Sequence, residues 1–367
     1  MKQTKFKKKH LLMVIIGAIF LYFSLWPVDI DPVAWKAPID RGYTGVFQHN
    51  EALKIPQKID LHGFIGPEDI ALDNIGRIYA ATHQGIVRID SEGSSPTLWA
   101  HTGGRPLGIE FDNHRNLIVA DGFKGLLSIS PNAEVSVLTN SVDDFPIGFA
   151  DDVDVADNGL IYFSDASIKF SPRDFNDVLK ASELDVIEHG GHGRLLRYDP
   201  LTQKTEVLMS GLNFANGVTI SHDQSYVLIN DMGNYQVLKY WIEGDLQGTV
   251  ETILHNLPGF PDNITSGLGG RFWISLIKPR NKDLDKLSNY PFLRKIAVRL
   301  LPFYKPHISP YAHVIAIDGK GNILQNLQNS KPSYIDITTV RETEDSLFFG
   351  SLVEDSIGRI LKKIEYY

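Results

Sequence analysis

The sequence predicts an all-β protein, a six-bladed β-propeller that follows an N-terminal transmembrane signal anchor and carries two short helical insertions. Three observations predict it. A strand–turn–strand unit recurs six times, an uncharged apolar run lies near the N-terminus, and two intervals between repeats are too long for one blade. Repeats of roughly 40 residues or more, each built from several short strands, are typical of propeller blades.

The first 27 residues are predicted to be a cytoplasmic basic tail and a signal anchor. Five lysines precede an uncharged run from Leu11 to Trp26, which ends at Pro27. The run is within reach of a membrane span. No small-x-small cleavage site follows it, which favours an uncleaved anchor over the alternative, a cleaved signal peptide. Because basic segments stay cytoplasmic, we expect a single-pass protein with its propeller on the periplasmic, luminal or extracellular side.

Composition limits the partners of the predicted domains, a linker at residues 28–45 and the propeller at residues 46–367. The chain carries a formal net charge of −8. Without residues 1–27, which hold five lysines and no acid, 31 basic residues face 44 acidic ones, a charge of −13. This acidity argues against nucleic acid as a partner and is compatible with cation binding. The absence of cysteine excludes disulfides, thiolate catalysis and zinc–thiolate sites.

Each repeat combines an apolar strand, a turn containing Asp, Asn or Gly, and a second apolar or aromatic strand. The first strands of the six copies begin at Ile70, Ile109, Val153, Val218, Ile264 and Ile337. An early strand at Lys58–Leu61 is expected to close the ring beside the final strands, which end near Tyr366.

The two long intervals, residues 170–192 and 279–312, are predicted to be insertions. Helix is expected from Asp174 to Ile187 and from Leu284 to Leu301, where apolar residues recur at helical spacing. The segment from His189 to His192 is interpreted as a glycine-rich surface loop. Basic residues interleave with apolar ones in the second insertion. It is therefore expected to form a lid over the axial pocket or to lie on a membrane; alternatively it packs on the rim with its basic residues solvated.

An acidic or amide residue recurs just before the first strand of four repeats. These residues are Glu68, Asp151, Asn216 and Asp262. A propeller brings the inner ends of its blades to one axis, so the four side chains can converge. Carboxylate and amide oxygens without Cys or His describe a hard-cation site, which Ca²⁺ fits best. The alternative is that each residue only caps a turn at the start of a strand.

Several longer strings resemble the senescence-marker-protein/gluconolactonase superfamily and, within it, the strictosidine-synthase-like branch. The matching strings are Asp31–Pro38, Arg105–Ile109, Val119–Leu126, Ile161–Ser167, Phe214–Val218 and Pro258–Ile264. The resemblance implies a central Ca²⁺ held by Glu68, Asp151, Asn216 and Asp262, with Asn263 as a further ligand. Relatives usually have Asn where this chain has Asp151, and the added charge is expected to tighten cation binding.

Paraoxonases, which are more distant relatives, imply a possible second metal site. The matching positions are Asp69 and Asp152, with the backbone carbonyls of Ile109 and Val153. Their catalytic histidines have no counterpart, because Leu107 stands at the first position and no histidine at the second. Thr338 stands where strictosidine synthase has its catalytic Glu. Neither a histidine-based mechanism nor alkaloid condensation is therefore expected.

Two classes of function remain open. The first is a membrane-tethered, Ca²⁺-dependent hydrolase of small-molecule lactones or esters, in which the metal polarises the carbonyl and a carboxylate, Asp262, activates water. The alternative is a non-catalytic propeller that binds a ligand or partner and keeps Ca²⁺ for stability. No Gly-x-Ser-x-Gly motif and no phosphate-binding loop occur in the sequence, which counts against serine hydrolases and nucleotide enzymes.

Overall fold

Six four-stranded antiparallel sheets form the body of the protein in a computed structural model that describes residues 2–55, 57–90, 94–301, 303 and 309–362 (backbone only for 2–7). The first strand of each sheet contacts the first strands of both neighbouring sheets, and these contacts run in a closed cycle. The innermost strands therefore surround one axis. The six-bladed propeller predicted from the sequence is confirmed.

The strands are numbered in chain order, beginning with β1 (Gln57–Asp60). Blade 1 consists of β2 (Ile70–Leu72), β3 (Ile78–Thr82), β4 (Gly85–Ile89) and β5 (Thr97–Ala100). Blade 2 consists of β6 (Pro106–Phe111), β7 (Leu117–Asp121), β8 (Gly125–Ile129) and β9 (Val135–Thr139). A small hairpin follows, made of β10 (Ser141–Val142) and β11 (Phe145–Pro146).

The next three blades repeat the pattern. Blade 3 consists of β12 (Ala150–Val155), β13 (Ile161–Asp165), β14 (Gly193–Asp199) and β15 (Lys204–Leu212). Blade 4 consists of β16 (Ala215–Ile220), β17 (Tyr226–Asp231), β18 (Gln236–Trp241) and β19 (Val250–Leu254). Blade 5 consists of β20 (Gly259–Ser266), β21 (Arg271–Pro279), β22 (Ala312–Asp318) and β23 (Ile323–Asn329).

Blade 6 closes the ring by joining both ends of the propeller. Its strands β24 (Ile337–Glu342), β25 (Ser346–Ser351) and β26 (Ser356–Leu361) come from the end of the chain. β1 completes the sheet by pairing antiparallel with β26, with Gln57 opposite Arg359. The early strand expected at the seam is confirmed, whereas Tyr366 lies outside the described residues.

Three hairpin turns use the same device: the turns between the first and second strands of blades 1 and 2, and the turn between the third and fourth strands of blade 5. Asp73 accepts hydrogen bonds from the backbone N–H groups of the residues two and four positions later, and Asp112 and Asp318 do the same. A residue with positive φ completes each turn, for example Gly321 at φ +82°. An Asp followed by a residue in the left-handed region is the expected chemistry for such a turn.

The hydrophobic core is divided among the interfaces between neighbouring blades. Tyr162 and Leu195 of blade 3, for example, pack with Val218 and Ile229 of blade 4. The second strands are buried on both faces, as in β7, where all five residues are buried. The blades are therefore held side by side, and the axis itself is left to polar residues.

Five α-helices complete the described structure. They are α1 (Lys2–Leu25), α2 (Pro172–Phe175), α3 (Val178–Glu188), α4 (Lys282–Leu287) and α5 (Pro291–Leu300). The last four lie in the predicted insertions, which are confirmed as helical. Single turns of 3₁₀-helix occur at Gly45–Phe47, Met232–Asn234 and Leu268–Gly270.

α1 is long and apolar enough to cross a membrane. Its segment Lys8–Leu25 has a mean hydropathy of 1.6, and none of that segment is buried against the rest of the protein. The helix ends two residues before Pro27, as expected, because the residue preceding a proline disfavours helical geometry. It matches the predicted anchor in place and length.

Residues 28–44 have no helix or strand, but they pack against both insertions. The Trp35 N–H donates to the Ser288 carbonyl at 3.1 Å. The Trp35 ring stacks on His189 with 3.8 Å between ring centroids. His189 is only 6% exposed, so the interpretation of the segment from His189 to His192 as a surface loop is wrong for its first residue. The aromatic contact with the linker, distant in sequence, buries it.

The ring closure can be tested by disulfide trapping, because the natural chain has no cysteine to compete. Gln57→Cys combined with Arg359→Cys should form a disulfide, since directly opposed residues of antiparallel strands have suitable spacing. Oxidation should leave no free thiol, as measured by alkylation and mass spectrometry.

Lys58→Cys combined with Arg359→Cys is the matched control. It is out of register by one residue, so its two side chains project from opposite faces, and both thiols should stay free. Equal cross-linking of the two pairs would contradict this register.

Candidate metal centre and pocket at the propeller axis

A β-bulge opens the inner strand of five blades at the same place. In β12, for example, the pairing with β13 shifts between Ala150 and Val153. β6, β16, β20 and β24 shift in the same way. A bulge sets two residues opposite one and re-aims their side chains. Each blade thus contributes two residues to the axis. With the corresponding pair before β2, they are 68–69, 107–108, 151–152, 216–217, 262–263 and 338–339.

In blades 1 and 3, the two members of the pair serve different layers of the axis. Glu68, Leu107, Asp151, Asn216 and Asp262 line a pocket at one end. The second members of the blade 1 and blade 3 pairs instead line a small space further along the axis. The structure therefore brings the four recurring acidic and amide residues together, and their sequence spacing reflects this arrangement.

Five oxygen atoms of this group lack any hydrogen-bond partner although they are buried. They are Glu68 Oε2, Asp151 Oδ2, Asn216 Oδ1, Asp262 Oδ2 and Asn263 Oδ1. Asn216 Nδ2 donates to Asp262 Oδ1 at 2.5 Å, and Asn263 Nδ2 donates to Glu68 Oε1 at 3.0 Å. In both contacts the amide nitrogen is the donor, so the amide oxygens of Asn216 and Asn263 take no part in them. Buried polar atoms are ordinarily paired, and five unpaired acceptors in one place require a donor or a cation.

The electrostatics of the group also favour a bound cation. Burial, reinforced by the negative charge of Asp262, raises the pKa of Glu68 well above its usual range. Burial also raises the pKa of Asp151 strongly and the pKa of Asp262 to about 7. The guanidinium of Arg105 is the buried positive charge nearby, and burial lowers its own pKa to about 10. A bound cation would remove the repulsion among the three carboxylates.

The donor set fits Ca²⁺, which prefers several carboxylate and amide oxygens. Within the described residues, no group of three or more His, Cys, Asp or Glu side chains stands ready to hold a metal ion. The three axial carboxylates, Glu68, Asp151 and Asp262, do not form such a group by themselves. The fit therefore rests on the five unpaired oxygens and on the chemistry of the donors.

The second predicted metal position has a different character. Asp69 accepts hydrogen bonds from the Ile109 N–H and the Thr339 hydroxyl, and Asp152 accepts from the N–H groups of Val153 and Val218. The N–H groups of Ile109 and Val153, not the predicted carbonyls, make these contacts. Neither carboxylate leaves an oxygen unpaired, so this position does not fit a second cation as the first position does.

Instead of a metal ion, the side chain of Arg341 brings a positive charge close to Asp69 and Asp152. Arg341 donates from Nη1 to Glu110 Oε2 at 2.8 Å and from Nε to the Ile70 carbonyl. Its side chain is 16% exposed. Although burial opposes its charge, Glu110 and Asp69 raise the pKa of Arg341 above its usual value. We call the part of the axis that contains Asp69 and Asp152 the lower layer, and the part that contains the five unpaired oxygens the upper layer. The guanidinium of Arg341 supplies the positive charge that the lower layer needs.

The pocket above the five oxygens has a volume of about 440 Å³ and a mainly apolar wall. Its apolar lining includes Phe149, Phe214, Phe260, Met232, Ile277, Val178, Ile187, Leu284 and Leu301. The rings of Phe149 and Phe214 meet edge to face, with 5.4 Å between centroids. Lys278 is the one basic residue among the described lining residues, and its ammonium lies 3.7 Å from Asp336. An apolar molecule with one polar group would fit, with that group at the floor.

Sequence reasoning missed several residues of this site. Arg105, Lys278 and Arg341 gave no signal, because a single basic residue in a strand does not reveal what it will face. The aromatic residues of the pocket wall, in contrast, did leave a signal in the sequence. Phe149, Phe214 and Phe260 each lie two positions before Asp151, Asn216 and Asp262 respectively, so a repeated Phe-x-Asp/Asn string marks both the floor and the wall.

Sequence comparisons find the same family in two parts of the chain. A sequence model described as strictosidine synthase matches residues 151–245, and one described as the N-terminal region of strictosidine synthase-like proteins matches residues 45–89. Protein STRICTOSIDINE SYNTHASE-LIKE 6 of Arabidopsis thaliana is 38% identical over 303 residues, which are 80% of this chain and 78% of the relative. Adipocyte plasma membrane-associated protein of Bos taurus is 30% identical over 362 residues, 92% and 85% of the two chains.

Solved structures of low sequence identity share the fold. A gluconolactonase from Xanthomonas campestris superimposes with a TM-score of 0.58 at 14% identity, covering 84% of this chain and 91% of the other. The calcium-binding protein regucalcin from Agrobacterium tumefaciens gives a TM-score of 0.56 at 11% identity, covering 82% and 87%.

The lower axial layer can be tested by removing its cation. Arg341→Met should lower the free energy of unfolding by about 2–3 kcal/mol, because it leaves Glu110 and Asp69 without their counter-charge. The value is below that of a fully buried pair because the side chain is 16% exposed. Urea unfolding of the full-length protein in detergent measures it.

Arg197→Met is the matched control. Arg197 pairs with Glu206 at the surface, where the two side chains are 30% and 53% exposed, and the loss should stay below about 1 kcal/mol. Equal losses for both variants would mean that Arg341 contributes no more than a surface ion pair.

Proposed function

Because the chain belongs to the strictosidine synthase-like family, we propose that it is a membrane-tethered, Ca²⁺-dependent hydrolase of lactones or small esters. One observation carries the proposal: Glu68, Asp151, Asn216 and Asp262, four of the five residues with unpaired buried oxygens, line the floor of a pocket whose wall is apolar. The gluconolactonase with the same fold adds support for the reaction class, and the calcium-binding regucalcin adds support for the metal.

The cation would be held by Glu68, Asp151, Asn216, Asp262 and Asn263 through those five oxygens. When bound, Ca²⁺ polarises the carbonyl of the substrate and favours the deprotonated form of a nearby water. The remaining contributions come from the side chains of the chain itself.

Asp262 is the proposed general base. Asn216 donates to Oδ1 of its carboxylate, which fixes the carboxylate, and Asp262 lines the pocket. A water molecule attacks the carbonyl carbon while Asp262 accepts its proton, the carbon–oxygen bond of the ester breaks, and the proton returns to the departing oxygen. The products are an alcohol and an acid, or one hydroxy acid from a lactone. Lys278 offers a positive charge to the carboxylate product.

The wall selects apolar substrates. The edge-to-face pair of Phe149 and Phe214 presents a rigid surface beside the floor, and Leu284 and Leu301 extend this surface from the second insertion. Burial of hydrocarbon there is worth about 25 cal/mol per Å², which binds the acyl or alkyl part and leaves the carbonyl for the polar floor.

Two other functions of this fold are weighed against hydrolysis. Condensation of the strictosidine synthase type lacks its acid, because the Thr338 hydroxyl donates to the Glu68 carbonyl and no carboxylate stands there. The alternative of a non-catalytic propeller with a structural Ca²⁺ would use the same five oxygens. A pocket that Asp262 lines and that could admit a substrate favours catalysis over that alternative.

The anchor would place this enzyme at a membrane. α1 has the length and composition of a single span, and the lysines before it would remain cytoplasmic. The propeller would then lie on the periplasmic, luminal or extracellular side.

Calcium titration of the full-length protein tests the metal. We expect one Ca²⁺ per chain by isothermal calorimetry. Asp151→Asn, which removes one charged donor, should weaken binding about tenfold, or about 1.4 kcal/mol. Glu183→Gln is the control, because Glu183 is an exposed carboxylate that lines the pocket away from the five oxygens. Binding unchanged in Asp151→Asn would exclude Asp151 as a ligand.

A panel of lactones and aryl esters tests the reaction, with a chelator and with Ca²⁺ restored. Asp262→Asn should lower kcat at saturating Ca²⁺ by about 10²–10⁴-fold, because an amide cannot accept the proton. Glu183→Gln should retain activity. If the protein binds Ca²⁺ yet hydrolyses none of these substrates, the non-catalytic alternative replaces the hydrolase.

A further inference from the structure

Helix α5 has an outer apolar face that nothing in the described protein covers. Phe292, Leu293 and Leu300 are 54%, 42% and 40% exposed, and Phe303, just beyond the helix, is 71% exposed. Positions 292, 296, 300 and 303 follow helical spacing, so Ile296 belongs to the same stripe. A row of large exposed apolar side chains indicates a surface that binds another apolar phase.

The inner face of α5 is fully used. Val298 packs in the core beneath the insertions, and Leu301 lines the axial pocket. Arg294 is 1% exposed, and it donates to the carbonyls of Ile187 and Ser288. Leu284 and Leu301 of the second insertion line the axial pocket, as a lid over it requires, whereas Ile296 and Leu300 do not line it. The expectation that the basic residues are solvated is wrong for Arg294 and Arg299, both of which are buried.

The outer face begins where the candidate membrane span ends. Arg299 donates to the Phe23 carbonyl at 2.8 Å and to the Trp26 carbonyl at 2.7 Å. These carbonyls belong to the end of α1, whose last turn leaves carbonyls without helical partners. The Tyr22 and Phe303 rings also meet edge to face, with 6.4 Å between centroids. α5 is thus fixed to the point at which the chain leaves the bilayer.

We propose that the outer face of α5, defined by Phe292, Leu293, Ile296, Leu300 and Phe303, inserts into the surface of the same bilayer that α1 crosses. The occupant is lipid, because the face is continuous with Leu25 and Trp26, which are 72% and 61% exposed at the end of the span. Trp side chains favour this interface. An amphipathic helix there lies in the membrane plane, with its apolar side about 5–10 Å deep.

Burial of apolar surface, not charge attraction, drives this docking. Arg294 and Arg299 are spent on backbone carbonyls, and Lys295 pairs with Asp31 at 2.8 Å. Uncharged phosphatidylcholine should therefore suffice. Since Leu301 of the same insertion lines the pocket, docking sets the pocket wall beside the bilayer. The inference concerns placement and holds whether or not the proposed hydrolysis occurs.

Site-specific fluorescence in vesicles tests the docking, and the cysteine-free sequence allows single labels. Full-length protein carrying Leu300→Cys or Phe292→Cys, each labelled with an environment-sensitive fluorophore, is reconstituted in phosphatidylcholine vesicles. Brominated acyl chains should quench both labels, and aqueous iodide should not. Leu201→Cys is the control, because Leu201 lies in a turn of blade 3 and is 94% exposed; iodide should quench it and brominated lipid should not.

Three outcomes would overturn the proposal. Iodide quenching of Leu300→Cys equal to that of Leu201→Cys would show a solvated face. Protection from iodide without quenching by brominated lipid would show that protein covers the face, either a second copy or another chain. Quenching that requires added phosphatidylserine would show docking by charge. All three labelled sites are exposed in the native protein, so a thermal melt equal to that of the unlabelled protein shows that the fold is intact.

Discussion

The site depends on one backbone constraint, the bulge at the start of the inner strand in five blades and the corresponding pair before β2 in blade 1. It gives every blade two residues at the axis, and it brings six backbones so close that some positions tolerate no side chain. A Cβ on Gly108 would lie 2.3 Å from Asp152 Oδ1, and one on Gly217 would lie 2.3 Å from the Ile264 nitrogen. Glycine is required there because the neighbouring blade fills the space. Twelve positions, two from each blade, therefore determine the chemistry of the axis.

Those positions concentrate negative charge where water is scarce, and the two layers of the axis answer this cost differently. In the lower layer the carboxylates of Asp69 and Asp152 are satisfied by backbone N–H groups, and Arg341 supplies the counter-charge. In the upper layer five oxygens remain unpaired, and the Nη1 and Nη2 groups of Arg105 donate to the carbonyls of Pro106 and Gly66. A buried carboxylate without partner or counter-charge is costly. The proposed Ca²⁺ would supply the counter-charge of the upper layer, whereas Arg341 supplies that of the lower layer.

Much of this arrangement can be predicted from the sequence, because it repeats. The blades, the Asp-containing turns, the seam strand and the converging residues Glu68, Asp151, Asn216 and Asp262 all follow from local patterns that recur at one place in each repeat. What occurs once cannot be predicted in this way. Arg341 faces Glu110 only because strands distant in sequence meet at the axis, and His189 is buried only because Trp35 crosses it. The helix α5 follows from the spacing of its apolar residues, but the direction in which each side chain points does not. Adjacent residues point about 100° apart, so Leu300 and Leu301 face different surroundings.

In the proposed hydrolase, the residues that would carry the reaction and those that would select the substrate lie in different parts of the chain. The polar floor comes from the inner strands, and its residues follow from the repeat itself. Part of the apolar wall comes from α3, α4 and the end of α5, which belong to no blade. Arg294 of α5 donates to the Ile187 carbonyl in α3, and Arg299 of α5 donates to the Trp26 carbonyl just after α1. Through these two contacts the helices are connected to the N-terminal apolar helix of the chain. A change in the insertions would therefore alter both the pocket wall and its position relative to the bilayer and leave the floor intact. Because Leu301 of the pocket wall directly follows α5, whose outer face makes the proposed membrane contact, substrate preference and membrane position would be coupled through this helix.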